Sequence, residues 1–368
     1  MVKKGDKLEV IDTKIASPLA RDFFYGTKLE LNPFKDKRRK GARMHGCRHL
    51  FLSVLTLTLF SGLVHAAVTA EPKKRHFLFT YKVKLASVPQ GDMKFWIPVA
   101  DSNREQVVTL VKINAPVPLE KKKEREYGNS LLFGRVKDSD KELEIELQYE
   151  VTRIEQKGSP TERSKSEHAS PKELARFLKS DHLTPLNDRI RKLAAEVTRG
   201  KTTPIAKARA IYDYFTDNLS YDKSGTGWGR GDINYVCDVK RGNCTDFHAL
   251  FIGLCRASGI PARFIIGFPI PEGKIEGNIS GYHCWAEFYA EGRGWIPVDT
   301  SEANKNKSRK EYYFGNLSEN RVEFTQGRDI LLEPRQHGEK LNFFIYPYAE
   351  LNGKPYEKME TSFTFLEL

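Results

Sequence analysis

A chain of 368 residues is long enough to bury a sizeable core and to form more than one domain. Its 60 Lys/Arg against 48 Asp/Glu give a formal charge of +12, but thirteen of the Lys/Arg and only six of the Asp/Glu fall in residues 1–66. The remainder is mildly basic with no long basic block, so nucleic acid is not the expected partner.

The first organised signal is Leu50 to Val64 (LFLSVLTLTLFSGLV), preceded by Arg48 and followed by His65-Ala66-Ala67. The run is short for a stable membrane span, and the small residues at Val64 and Ala66 suit signal-peptidase cleavage. Residues 44–66 therefore read as a signal peptide cut after Ala66. Cleavage after Ala70 is the alternative, and an uncleaved anchor, the one route to a membrane, is the competing reading. Met44 makes a conventional start for such a leader, so residues 1–43 are expected to be disordered or a misassigned start. Cys47 precedes the apolar run and is not placed as a lipid-attachment cysteine.

From residue 76 to 154 the pattern has a period of two. Phe77, Phe79, Tyr81, Val83 and Leu85 alternate with polar residues, as do Leu143, Ile145, Leu147, Tyr149 and Val151. Met93–Val99, Gln106–Ala115 and Ser130–Val136 add further strands, which together predict an all-β, sandwich-like domain. Residues 155–171 (EQKGSPTERSKSEHASP) have no apolar periodicity and read as a linker, with His168 on solvated surface. Residues 172–368 form the second predicted domain.

That domain begins with two helices. Leu186, Ile190, Leu193, Ala194 and Val197 share one face. Thr203 caps a second helix with Pro204 at its first position and Ile205, Ala208, Ile211, Tyr212, Phe215 and Leu219 on its face. A Gly-rich loop, Ser220 to Cys237, follows and suits the rim of a cleft. Arg241 to Arg263 (RGNCTDFHALFIGLCRASGIPAR) then predicts a helix capped by Asn243, with Cys244 in its first turn and Gly259 and Pro261 at its end. A thiol at a helix N-terminus is favoured as thiolate. After a strand at Phe264–Phe268, the loop Pro269 to Gly281 reads as a flap or as a plain hairpin connection.

Tyr282 to Tyr289 (YHCWAEFY) is an alternating strand with His283, Trp285, Glu287 and Tyr289 on one face. Cys284, on the other, is expected to face away from the chemistry. Gly294 to Thr300 (GWIPVDT) ends a strand on Asp299. Cys244, His283 and Asp299 thus follow in the order nucleophile, base and orienter, 39 and 16 residues apart. His248, four residues from Cys244, is a rival base, less able to reach the substrate side. Asp246 is expected to favour the helix dipole. The Cys244 N–H is the natural first oxyanion donor, with Trp228, Tyr235 and the Asn243 side chain as second-donor candidates and Trp285 as a cleft candidate. Cys237, Cys244, Cys255 and Cys284 allow at most one disulfide if Cys244 is free, and Cys255 reads as buried packing. Cys237, Cys244, His248 and Cys284 fit no zinc spacing, so neither metal nor cofactor is expected. The tail predicts strands at Asp329–Leu332, Asn342–Tyr346 and Ser362–Leu366, with a turn at Asn352-Gly353, completing the sheet under the Cys helix.

The Cys244 block, the GYHCWAEFY strand and the GWIPVD strand resemble the transglutaminase-like core, a papain-like superfamily whose bacterial members are often described as cysteine proteases. The resemblance covers roughly Pro204 to Asn316. It implies an α+β fold with the Cys helix on an antiparallel sheet, Cys244, His283 and Asp299 as a triad, and a related tryptophan role for Trp228. It leaves the reaction open. An exported peptidase or amidase acting on a peptide or protein, including those of the cell envelope, is the first expectation. A protein-crosslinking transglutaminase and a non-catalytic envelope protein binding peptide or glycan are the others.

Overall fold

The computed structural model describes residues 71–85, 90–137, 142–158 and 169–368. The readings of residues 1–66, including Cys47, and of His168 lie outside the described residues. Six strands come first: β1 (Lys74–Leu85), β2 (Asp92–Pro98), β3 (Gln106–Asn114), β4 (Leu119–Lys123), β5 (Ser130–Lys137) and β6 (Leu143–Ile154). A two-residue strand, β7 (Gln156–Lys157), precedes helices α1 (Pro171–Arg176), α2 (Asp188–Val197) and α3 (Pro204–Asn218). Short β8 (Ser220–Tyr221) and β9 (Arg241–Gly242) flank α4 (Ile233–Val239), and α5 (Cys244–Ala257) follows. Then come β10 (Ala262–Pro269), β11 (Glu276–Asn278), β12 (His283–Ala290), β13 (Gly294–Val298) and α6 (Thr300–Lys305). The chain ends with β14 (Asn316–Leu317), β15 (Arg321–Gln326), β16 (Tyr348–Leu351), β17 (Lys354–Pro355) and β18 (Glu360–Glu367).

The period-two pattern of β1 and β6 becomes one buried face, because their register sets Phe77 opposite Val151 and Tyr81 opposite Leu147. Two five-stranded sheets result, in the orders β11-β18-β1-β6-β3 and β17-β16-β2-β5-β4, and their inner residues share one core. Both sheets take strands from the far end of the chain. Of the tail, only β15 joins the sheet under the Cys helix; β16, β17 and β18 complete the sandwich. The strands expected at 329–332 and 342–346 do not form. Ile330 keeps a single bridge to Leu341, while Leu332 and Phe344 fill a small core beneath Trp96, which burial alone made look strand-like. The turn at Asn352-Gly353 is present, with φ of 52° and 76°. Part of the expected Gly-rich loop is α4, capped by Asp232 through the Asn234 N–H at 3.0 Å.

The antiparallel sheet β13-β12-β10-β15 carries α5. This helix is buried from Cys244 to Arg256, its polar side chains Thr245, Asp246, His248 and Arg256 included. It packs against α2, α3, α4 and α6 as well as β10 and β12. Its end is a Schellman turn, with Ile260 N–H on Cys255 O at 2.9 Å, Gly259 N–H on Arg256 O at 3.0 Å, and Gly259 at φ 78°. Phe268 of β10 and Phe363 of β18 sit 4.2 Å apart, centroid to centroid, so the sandwich core runs into the layer behind the Cys helix.

The 269–281 segment is tied down. Its β11 pairs with β18, and Arg75 of β1 donates through Nη1 to Pro271 O and Asn320 Oδ1 and through Nη2 to Lys274 O, each at 3.0 Å. Glu367 holds the same guanidinium at 2.6 Å.

Gly267 lies opposite His283 and at a register shift between β10 and β15. A Cβ there would fall 1.9 Å from Val322 O. Gly267→Ala is expected to cost about 1–3 kcal/mol of stability by forcing the two strands apart, measured as a lower thermal unfolding midpoint.

Candidate active site

Asn243 starts α5 by accepting from the Thr245 N–H at 2.9 Å, while Asp246 returns a carboxylate to the Asn243 N–H at 2.9 Å. This reciprocal cap fixes Cys244 at the helix N-terminus, 3 % exposed on the wall of a cleft of about 810 Å³. The thiol of Cys244 is held well below the usual cysteine value. A hydrogen bond from the Cys284 thiol contributes most, followed by the hydrogen bond and charge of His283, all acting against burial. Cys284 is raised, by burial first and then by Cys244, so it remains the protonated donor.

His283 opens β12, 8 % exposed on the same cleft. Its Nε2 lies 2.7 Å from Asp299 Oδ2, leaving Nδ1 for the thiol. Burial alone would lower this imidazole, but the Asp299 charge and hydrogen bond, together with Cys244, raise it to about 10. The favoured state is a thiolate beside an imidazolium.

Asp299 is fully buried where β13 gives way to α6. Its Oδ1 caps α6 through the Glu302 N–H at 2.9 Å and accepts from Ser301 Oγ at 3.0 Å; its Oδ2 faces His283 and, at 3.5 Å, Arg321 Nη1. Burial would push this carboxyl up, but the charge and hydrogen bond of His283, together with the charge of Arg321, hold it below the ordinary carboxylate range.

His248 is locked as a neutral ring. Nδ1 donates to Cys244 O at 2.7 Å, and Nε2 accepts from the Thr300 N–H at 3.1 Å. With no proton on Nε2, its 3.5 Å approach to Asp299 is not an ion pair. Burial lowers its pKa to about 4. The ring braces the first turn of α5 against α6 and has no free nitrogen for proton transfer.

The other sequence candidates separate. Trp228 lines the cleft, with its Nε1 engaged by Gly225 O at 3.1 Å. Asn243 also lines it, but its amide oxygen caps α5 and its Nδ2 donates to Tyr282 Oη at 3.3 Å. Tyr235 sits under Gly227 and donates to Thr226 O at 2.9 Å, so it supports the loop from outside the cleft. Trp285 is fully buried with Ile265 and Leu317, beneath Arg321, and does not line the cleft.

Cys284 requires a correction. Alternation does turn it toward the helix, but the part of the helix it meets is the first turn of α5. Besides Cys244, its sulfur approaches His248 Nδ1 at 3.6 Å and Thr245 Oγ1 at 3.9 Å. The four described cysteines are all buried free thiols, with Cys255 raised by burial.

Several contributors were not read from the sequence. Asp246, beyond its cap, accepts from the Gly229 N–H at 2.6 Å and the Gly231 N–H at 2.9 Å, binding the Gly-rich loop to the Cys helix. Arg328 holds that loop from behind, donating to Gly231 O at 3.0 Å and Arg230 O at 2.9 Å. Tyr282 Oη lies 2.8 Å from Thr245 Oγ1, joining the start of the His strand to the Cys helix. Among these, the Gly-rich run preceding a helix-capping Asp was the available signal.

Residues 191–300 match the family model Transglut_core, the transglutaminase-like superfamily. An uncharacterized protein of Haemophilus influenzae is 28% identical over 355 residues, covering 83% of this chain and 94% of that protein. The protein-glutamine gamma-glutamyltransferase of Pseudomonas aeruginosa is 28% identical over 120 residues, which cover 31% of this chain but only 18% of that protein. A solved structure described as "a Putative Cysteine Protease from Cytophaga hutchinsonii" has a TM-score of 0.53 at 17% identity, covering 81% of this chain and 93% of that one, a likeness of fold. With its buried cysteine helix on an antiparallel sheet, this chain carries a transglutaminase-like core over residues 191–300.

Proposed function

We propose that the protein is an exported thiol enzyme that acts on amide bonds through Cys244, His283 and Asp299, hydrolysing them in preference to transferring the acyl group to an amine. The observation that carries this reading is His283, held by the Asp299 carboxylate at 2.7 Å and lining the same cleft as Cys244. The Cys244 sulfur adds to the amide carbon, and the Cys244 N–H, which the helix leaves without an intrahelical acceptor, meets the developing oxyanion. The His283 imidazolium gives its proton to the leaving amine as the C–N bond breaks. Water then loses a proton to His283 and attacks the thioester, releasing the acid and restoring the thiolate. Water reaches an open cleft without a dedicated site, which supports hydrolysis. The substrate class is a peptide or protein, with cell-envelope components as the natural source for an exported enzyme.

A second reading, amine transfer, is favoured by one observation: the Pseudomonas aeruginosa relative is named a protein-glutamine gamma-glutamyltransferase. Turnover of a glutamine peptide with and without a labelled primary amine separates the two. Incorporated label marks transfer, and released acid alone marks hydrolysis.

Cys244→Ala is expected to abolish amide turnover while leaving the thermal transition nearly unchanged, and activity retained in that variant refutes the enzyme reading. Asp299→Asn is expected to lower kcat by roughly 10²–10⁴-fold by freeing the wrong imidazole tautomer, read in the same assay.

The pH dependence has a definite sign. Cys244 deprotonates below the usual thiol value of about 8.5, so alkylation by iodoacetamide is expected to be rapid well below that pH. Turnover needs the His283 proton and should fall as pH rises through about 10. An ordinary thiol profile in alkylation would instead favour a binding module.

Export rests on the 50–64 run; among the described residues no helix is long and apolar enough to cross a membrane. N-terminal sequencing of the protein from a fractionated host is expected to begin at Ala67, outside the cytoplasm.

A further inference from the structure

The cleft beside Cys244 is unevenly charged. Its walls carry Lys223, Arg230, Lys305, Arg309 and Arg321 against two carboxylates, Glu272 and Glu302. Both carboxylates are matched, since Glu302 pairs with Lys305 and Glu272 lies 4.0 Å from Arg309. Lys223 and Arg230 remain in excess, and Arg321 has only Asp299, which it shares with His283.

Lys223 and Arg230 belong to the Gly-rich loop that Asp246 and Arg328 hold in place. Lys223 Nζ stands 5.8 Å over the Trp228 ring, and Arg230 is exposed. Arg321 is different. It is 3 % exposed, yet it lines the cleft. Its guanidinium reaches Asp299 through one nitrogen at 3.5 Å and lies 4.9 Å over Trp285, and its Nε is buried with no hydrogen-bond partner. A guanidinium presents five N–H donors in a planar fork that matches a carboxylate, and a buried one with unused donors is costly until an anion completes it. The shared partner Asp299 is already committed to His283, Ser301 and α6. The wall therefore holds a cation with spare donors, backed by two more cations that raise the local concentration of anions.

We infer that the cleft selects an anionic acyl donor, a peptide bearing a carboxylate close to the reacting amide, which Arg321 receives in the field of Lys223 and Arg230. This rests on the reading of Cys244 as the nucleophile. It leaves hydrolysis or transfer unaffected and names the chemistry of the substrate that either would use.

The test is alkylation of the full chain by iodoacetate and by iodoacetamide at low salt, with Cys244 adducts counted by peptide mass spectrometry. In each reaction the sulfur forms a C–S bond and iodide leaves; the reagents differ in that iodoacetate carries a carboxylate beside the reacting carbon. The ratio of the iodoacetate to the iodoacetamide rate is expected to exceed that of a free cysteine peptide. It should fall about three- to tenfold in Lys223→Gln/Arg230→Gln, in Arg321→Gln and at high salt. Arg321→Lys should restore part of the ratio, which loss of packing alone would not allow. Because each variant is normalised to its own iodoacetamide rate, a general change in thiol reactivity does not move the ratio. A low-pKa Cys244 whose ratio ignores salt and the exposed Lys223/Arg230 pair overturns the anionic substrate and leaves the thiol enzyme standing. An ordinary thiol pKa overturns both.

Discussion

The arrangement depends on one buried carboxylate. Asp299 lies with no exposure at the junction of β13 and α6, where an isolated charge would be expelled or protonated. It stays ionised because each oxygen is occupied: Oδ1 by Ser301 and the first turn of α6, Oδ2 by His283 and more distantly Arg321. These partners come from β12, α6 and β15, so the same charge that orients the imidazole also ties three elements together. Removing it would leave a buried imidazolium and a buried guanidinium facing each other's vacancy.

A second constraint fixes the thiol. Asp246 caps α5 and grips the Gly-rich loop, while the Tyr282 hydroxyl meets Thr245 and Asn243 across the start of β12. His248 closes the other side by spanning from Cys244 O to the Thr300 N–H. The start of the Cys helix is therefore held by hydrogen bonds of three residues, Asp246, Tyr282 and His248, and the Cys284 thiol adds a donor that favours the anion. Nothing in this scheme asks His248 to move a proton. Its role is to keep the helix end and α6 at a fixed separation.

Much of this was legible in the chain. Asn243, Gly259 and Pro261 bound the Cys helix, and the alternation of β1, β6 and β12 located buried faces, because capping and pleating are local effects. Cys284 shows where local reasoning stops: parity gave its direction, but only the crossing of α5 over β12 reveals that the first helical turn lies there. Arg321 and Arg328 were opaque for the same reason, since their partners are contributed by segments far away in sequence. The apolar stretches at 329–332 and 342–346 misled because burial under Trp96 requires no ladder partner. Trp285 was misjudged as a cleft residue although it shares the parity of His283, because the strand runs under Arg321 one pleat further on.

The Arg75 strap carries a consequence for how the protein can be divided. One wall of the cleft, Pro269 to Glu272, hangs from a guanidinium on the first strand of the sandwich and from Glu367, next to the last residue. A fragment excised at the borders of residues 191–300 would retain the thiol, the imidazole and the carboxylate yet lose that suspension and the β18 edge that β11 joins. These three side chains are thus not a portable module. Strands β1 and β18, drawn from either side of the matched region in sequence, suspend one wall of the cleft.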